Sequence, residues 1–313
     1  MLLRSDAISI DARVCQWISI REALHHFATY SGATQSQQHI KPLHWYVACR
    51  LVLEGGFHPD DIMPRPPFDV ITRNGKHFLH FDASKATGGE RTILGGLKTK
   101  NVDVVVTKEG IGPVLAVSCK GMTAAFRNLT NRMEETIGEC TNLHITYPAM
   151  VFGYMFVIRA NRLVVAIASG LAPETTSPVR QLLANDIAVQ EGGEPVESIF
   201  RFHSALRELT GRRGIRNDVS RYEAVALAMI ETTGDQAGEV LPHFPPQDSS
   251  LRLEKFFQTL YRRYEERYLI GAPDLKSVTR RLEWAPESPV FDVSKIKSQG
   301  HPALDHEIRL AAT

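Results

Sequence analysis

Between Asn101 and Cys140 the chain reads NVDVVVTKEGIGPVLAVSCKGMTAAFRNLTNRMEETIGEC, and this segment constrains the fold more than any other. A valine-rich run, Val102–Thr107, and a second apolar run, Val114–Lys120, are joined by the turn Lys108–Pro113. That pattern predicts two strands paired as a hairpin. Thr123–Cys140 follows with helical periodicity, Phe126, Leu129, Met133 and Ile137 supplying its apolar side. Two charges stand in the strands, Asp103 at the start of the first and Lys120 at the end of the second. A charge in a β-valine run is costly to bury unless it is paired or binds a metal. Side chains alternate along a strand, so Ser118 and Lys120 share one face and Cys119 takes the other. With the strands as neighbours, Asp103, Ser118 and Lys120 converge near one end.

The flanking sequence predicts what surrounds this hairpin. Asp11–Leu53 reads as helical, with Trp17, Ile20, Leu24 and Phe27 on one face and a second helix from about Leu43 to Leu53. His44 and Trp45 read as part of a buried helix face rather than as ligands. Gly55-Gly56 stops this helix. Asn74-Gly75 between Phe68–Thr72 and Lys76–Asp82 is a hairpin signal, because both residues accept positive φ. Ala86–Leu97 is expected as a short helix carrying Glu90, and Ala149–Ile158 and Arg162–Ala168 as two further strands. Ser177–Asn185, Glu197–Thr210, Arg221–Ile230 and Leu251–Tyr268 carry helical periodicity. The expected fold is α/β: a mixed sheet with helices on its faces. Its parts are an N-terminal helical region (1–67), a core (68–170) and a helical C-terminal region (171–313).

Composition narrows the function less. Lys+Arg 36 against Asp+Glu 35 gives a net charge of +1 over 313 residues, so any nucleic-acid surface must come from local clustering. Arg212-Arg213-Gly214-Ile215-Arg216, Tyr261-Arg262-Arg263-Tyr264, Arg267-Tyr268 and Arg280-Arg281 are such clusters, with tyrosines interleaved, and are expected to face DNA. The four cysteines show no metal-ligand spacing, and with no secretory leader they suggest a cytoplasmic protein. The thiol of Cys119 reads as a small core group and His144 as a satisfied loop histidine. The longest apolar run, Met150–Ile158, is well short of the roughly 20 residues that span a membrane. Phosphate-binding loops, dinucleotide fingerprints, HExxH and GxSxG motifs are absent from the sequence.

An Asp on one strand, a hairpin, a second strand ending in x-Lys and a following helix resemble the core of the PD-(D/E)xK nucleases. The chain departs from that pattern in lacking Pro before Asp103 and in carrying Ser118 at the second acidic position. Ser-x-Lys followed by a Glu from the next helix also resembles a variant active site in type II restriction endonucleases that cut CCGG-centred sequences. Here Glu134 lies fourteen residues beyond Lys120, with Glu135 beside it. In that branch the Asp lies much further upstream, so the likeness is one of active-site solution rather than target sequence.

The resemblance implies a restriction-endonuclease-like fold and a Mg²⁺-dependent endonuclease acting on double-stranded DNA. It implies metal ligation by Asp103 and Glu134 or Glu135, with the backbone carbonyl of Cys119, after Ser118, as a further ligand. Lys120 would orient the attacking water, and Glu90 is a second-tier acid. Arg127, Asn128, Asn131 and Arg132 on the following helix suit phosphate and base contacts. Cutting both strands of a symmetric site implies a homodimer or homotetramer, and a restriction enzyme implies a protecting methyltransferase. The alternative is a catalytically silent DNA-binding or assembly protein on the same scaffold.

Overall fold

The computed structural model describes residues 18–124, 126–162, 184–216, 218–292 and 305–312. Two helices open it, α1 (Ile20–Thr29) and α2 (Lys41–Leu53). Helix α1 starts at a capping box in which Ser19 and Glu22 satisfy each other's backbone N–H groups. Almost every residue of α2 is buried, which explains why it is apolar around its whole circumference. Five strands follow as β1 (Ile62–Met63), the hairpin β2 (Phe68–Arg73) and β3 (Lys76–Phe81), and the hairpin β4 (Arg91–Leu94) and β5 (Thr99–Val102). At the β2–β3 turn Asn74 and Gly75 both take positive φ, as that dipeptide predicts.

Strands β6 (Val104–Lys108) and β7 (Gly112–Met122) form the expected antiparallel hairpin. Helix α3 (Leu129–Thr146) crosses over to β8 (Val151–Arg159), which runs parallel to β7. Helix α4 (Glu197–Glu208) precedes β9 (Ala224–Ile230), which runs parallel to β8, and α5 (Leu253–Tyr264) follows. The central sheet is mixed, five strands in the order β1–β6–β7–β8–β9. The fold is α/β, with helices on both faces of that sheet.

Alternation divides the core into two layers. Val104, Val106, Leu115, Val117, Cys119, Met155, Val157 and Ala226 pack beneath α1, α2 and α5. Val105, Ala116, Phe152, Tyr154, Phe156, Val225, Leu227 and Met229 pack beneath α3 and α4. Ser118 and Lys120 therefore belong to the α3 side.

Two expected helices are strands. Arg221–Ile230 contains β9, whose Ala224–Ile230 run is buried at every position. A parallel strand covered on both faces shows no polar alternation, so its alanine-rich run imitates a buried helix. Ala86–Leu97 contains β4, whose partner β5 lies beyond the turn Gly95–Lys98. The glycines at 95 and 96 permit a close approach: a Cβ at Gly95 would sit 2.1 Å from Asn142 Nδ2, and at Gly96 2.3 Å from Ile145 Cγ2. The strand expected at Arg162–Ala168 and the helix expected at Ser177–Asn185 lie largely outside the described residues. Among the described residues no helix is long and apolar enough to cross a membrane.

Candidate metal centre

Asp103 stands in the break between β5 and β6, one position beyond the last β6–β7 pair, Val104 with Val117. It therefore faces Ser118, and it is 1% exposed. Its Oδ2 accepts from the Cys119 N–H at 2.7 Å and from Lys120 Nζ at 3.1 Å. Ser118 Oγ lies 3.3 Å from Asp103 Oδ2 and also 3.3 Å from Glu139 Oε1. With one proton, that hydroxyl bridges the two carboxylates by donating to one at a time. Glu139 comes from the sheet-facing side of α3, in line with the buried Thr136, Cys140 and Leu143. Lys100 of β5 approaches its other oxygen, 3.6 Å from Oε2.

Two further groups close on Asp103. His44 of α2 brings Nε2 to 3.7 Å from Asp103 Oδ1. Glu90, just before β4, completes a trio in which His44, Glu90 and Asp103 each offer a ligand atom within 4.8 Å of the others. His44 Nε2, Asp103 Oδ1 and Glu139 Oε2 are buried and have no hydrogen-bond partner. Such atoms are costly in a folded interior. A divalent cation held by His44, Glu90 and Asp103 would satisfy the first two, and that donor set of carboxylate oxygens and one imidazole nitrogen fits one.

The electrostatics agree with that chemistry. Burial works against the Asp103 carboxylate, but His44, Lys120 and the Cys119 N–H outweigh it and hold its pKa below the usual range. Burial also lowers the pKa of His44, more than Asp103 raises it, so the ring is neutral at pH 7 and free to donate a lone pair. With His44 neutral, Lys120 and the Cys119 N–H keep Asp103 anionic. Burial pushes the Glu139 carboxyl up, against the opposing pull of Lys120 and Lys100. The Glu90 carboxyl is also pushed up, by burial and then by Asp103. Burial disfavours the Lys120 ammonium, but Asp103 and Glu139 outweigh it and raise its pKa, so it stays protonated.

Of the residues expected at this site, Asp103, Ser118, Lys120 and Glu90 are brought together. Glu134 and Glu135 are not: both are exposed, and Glu135 accepts from Arg132 at 2.6 Å. The carboxylate that reaches Ser118 is Glu139. The expected spacing assumes that the helix starts near Thr123, whereas a 3₁₀ turn over Phe126–Asn128 precedes α3, which begins at Leu129. Glu134 is five positions from Glu139 and so lies about 140° around the helix from it. Glu135 is one turn earlier and is splayed toward solvent by its ion pair.

The Cys119 side chain lies in the apolar layer beneath α2, on the opposite face of β7 from Ser118 and Lys120, and burial pushes its thiol well up. Its contribution to the site is the N–H that Asp103 accepts. Asn128, Asn131 and Arg132 are exposed, and the side chain of Arg127 lies outside the described residues.

Four of the eight clustered arginines are turned inward. Arg212 and Arg267 each donate to Glu223 at 2.8 Å in the buried core. Arg263 pairs with Glu266, and Arg281 with Glu265 at 2.6 Å. Arg267, just after α5, holds that segment to Met150 and Glu223 beside the sheet, while Arg213, Arg216, Arg262 and Arg280 remain exposed. His144 lies within α3 rather than in a loop, with Nε2 3.6 Å from Glu223 Oε2.

Sequence reasoning missed His44, Glu139 and Lys100. Glu139 had a signal, since it shares a helix face with Thr136, Cys140 and Leu143. His44 had none, because a histidine inside an apolar helix looks the same whether or not its ring nitrogen finds a partner. Comparison of the chain with protein-family models, with curated proteins and with solved structures finds no match.

Proposed function

We propose that this protein is a divalent-metal-dependent endonuclease that hydrolyses phosphodiester bonds in double-stranded DNA, on a restriction-endonuclease-like core. The observation that carries the reading is the convergence of Asp103 and Glu139 on Ser118, with a charged Lys120 donating to Asp103 and with His44 and Glu90 beside it. The order of strand, hairpin strand, helix and parallel strand from β6 to β8 supports it, as does the replacement of an acid at 118 by one from the following helix.

His44, Glu90 and Asp103 would hold the cation, with Glu139 near enough through Ser118 to extend the site. When bound, the cation supplies Lewis-acid charge and lowers the pKa of a coordinated water. In the hydrolytic step the water oxygen bonds to phosphorus and the phosphorus–oxygen bond to the leaving sugar breaks. The water's proton is released to solvent, and the leaving oxygen takes up a proton. Lys120 is protonated and so is no general base; its ammonium orients the water and offsets charge gathering on the phosphoryl oxygens. Mg²⁺ suits the carboxylates, and the imidazole of His44 adds a donor that favours Mn²⁺ over Mg²⁺. Cleavage of both strands is proposed to use a homodimer or homotetramer in the cytoplasm, with a cognate methyltransferase protecting host DNA.

The test is nicking of supercoiled plasmid with Mg²⁺ or Mn²⁺ and an EDTA control. Asp103→Ala and Lys120→Ala are expected to abolish cleavage while the circular dichroism spectrum is retained. Cleavage persisting in either purified variant overturns the assignment. The burial of Asp103 favours a second reading, a silent DNA-binding scaffold, which binds the plasmid but leaves it uncut with either metal.

A further inference from the structure

The β4–β5 hairpin carries Glu90 at its entrance and Lys100 near its exit, and Asp103 follows directly after it. Its inward face is occupied: Ile93 packs in the core and Lys100 reaches Glu139. Its tip is not. Leu94 is 64% exposed and Leu97 78%, and Ile145 of α3, against Gly96, is 49% exposed.

The tip is held rigidly despite this exposure. Asn142 Oδ1 accepts from the N–H groups of Leu97 at 2.7 Å and Lys98 at 3.1 Å, and Asn142 Nδ2 donates to the Lys98 carbonyl at 2.9 Å. The Gly96 N–H donates to the Asn142 carbonyl at 2.7 Å, and the Gly95 N–H closes the loop onto the Lys98 carbonyl. A segment that fixes two leucines in water, through four contacts to a single asparagine, has them poised for an apolar partner. The charges around them select that partner. Lys85, Arg91 and Lys98 are the exposed basic residues between 83 and 102, Lys100 being turned inward to Glu139, and Glu90 is the one acid in that stretch.

We infer that Leu94 and Leu97 form a rigid wedge that inserts between base pairs of duplex DNA beside the candidate metal centre. The inference rests on the nuclease reading, because it takes DNA as the ligand of the adjacent site. Polyanionic backbone with apolar base faces is the chemistry that matches basic residues around exposed aliphatic side chains.

The experiment uses the full chain in a Lys120→Met background, which keeps the carboxylates and stops hydrolysis. Duplexes carrying 2-aminopurine at successive positions are titrated with this protein in Mn²⁺, and binding is followed by anisotropy. A local rise in 2-aminopurine fluorescence is expected on binding. Leu94→Ser with Leu97→Ser should abolish that rise and weaken binding at least about tenfold, the loss of two buried leucine side chains. Both leucines are exposed in the free protein, so the thermal midpoint should not move.

An unchanged affinity and fluorescence rise in the double variant overturn the wedge, as does the absence of a rise at every position. A double variant that instead changes sedimentation, with DNA binding intact, overturns it in favour of a contact between copies. Nicking by the wild-type protein separates the two ideas: nicking without unstacking sinks the wedge alone, whereas absence of both nicking and binding sinks the nuclease reading and the wedge with it.

Discussion

Cation binding should be visible as thermal stability before any nuclease assay is run. In the metal-free protein His44, Glu90 and Asp103 face one another, with His44 Nε2 and Asp103 Oδ1 buried and unpaired among them. A ligand that binds the folded state alone stabilises it by about 2.7 kcal/mol at one hundred times its Kd. For a chain of this size each kcal/mol moves the melting midpoint by about 2 °C, so Mn²⁺ should raise it by about 5 °C. Glu90→Gln is the informative variant. The folded-state pKa of Glu90 is raised, by burial and then by Asp103. A carboxyl shifted that way costs stability above its unfolded pKa of about 4.3, and the cost disappears as pH falls below that value. At neutral pH the neutral glutamine should therefore leave the metal-free midpoint unchanged or slightly higher while shrinking the Mn²⁺ shift. Scanning fluorimetry with and without EDTA reads both. A wild-type protein with no cation-dependent shift, or a Glu90→Gln variant that is destabilised yet keeps the full shift, refutes the reasoning.

Other outcomes follow from the same geometry. Glu139→Gln should abolish plasmid nicking, whereas Glu134→Gln and Glu135→Gln should leave it intact, because those two carboxylates face solvent. His44→Ala should weaken Mn²⁺ more than Mg²⁺ in titration calorimetry, since it removes the nitrogen donor. Glu223→Gln should destabilise the protein by about 3–5 kcal/mol in urea melts at pH 7, because it strips Arg212 and Arg267 of their buried counter-charge. Burial opposes the Glu223 carboxylate, but His144, Arg267 and Arg212 outweigh it and lower its pKa. Its contribution is thus present above the unfolded pKa and is lost as pH falls through the folded value, so the variant and the wild type should converge in acid.

Much of the fold could be read from the sequence where local signals were unambiguous. Asn74-Gly75 specified one hairpin, and the turn between Val106 and Val114 specified the other, because two-residue periodicity and turn chemistry are properties of short windows. β9 could not be read, since its environment is set by β8, distant in sequence, on one side and by the 240–251 segment that caps its outer edge on the other. The arginine clusters misled for a related reason. Arg212 and Arg267 are drawn inside by one acid, Glu223, and a buried pairing of residues 44 positions apart leaves no trace in local composition. Asp103, Ser118 and Lys120 were legible because strand alternation fixes their faces. The Glu139 carboxylate was not, because its place depends on where α3 begins.

The exchange between Ser118 and Glu139 has a physical logic of its own. A glutamate at 118 would put a second carboxylate on the strand directly facing Asp103, in a site where burial already opposes charge. Serine there leaves room for an acid arriving from α3 and supplies a hydroxyl that lies 3.3 Å from each of the two carboxylates. Lys120 and Lys100 then stand on either side, 3.1 Å from Asp103 and 3.6 Å from Glu139. The negative charge needed to hold a cation is thereby divided between a strand and a helix, each acid with its own lysine. A site built this way depends on the contact between α3 and β7, so substitutions that loosen that contact should reach the metal before they reach the fold.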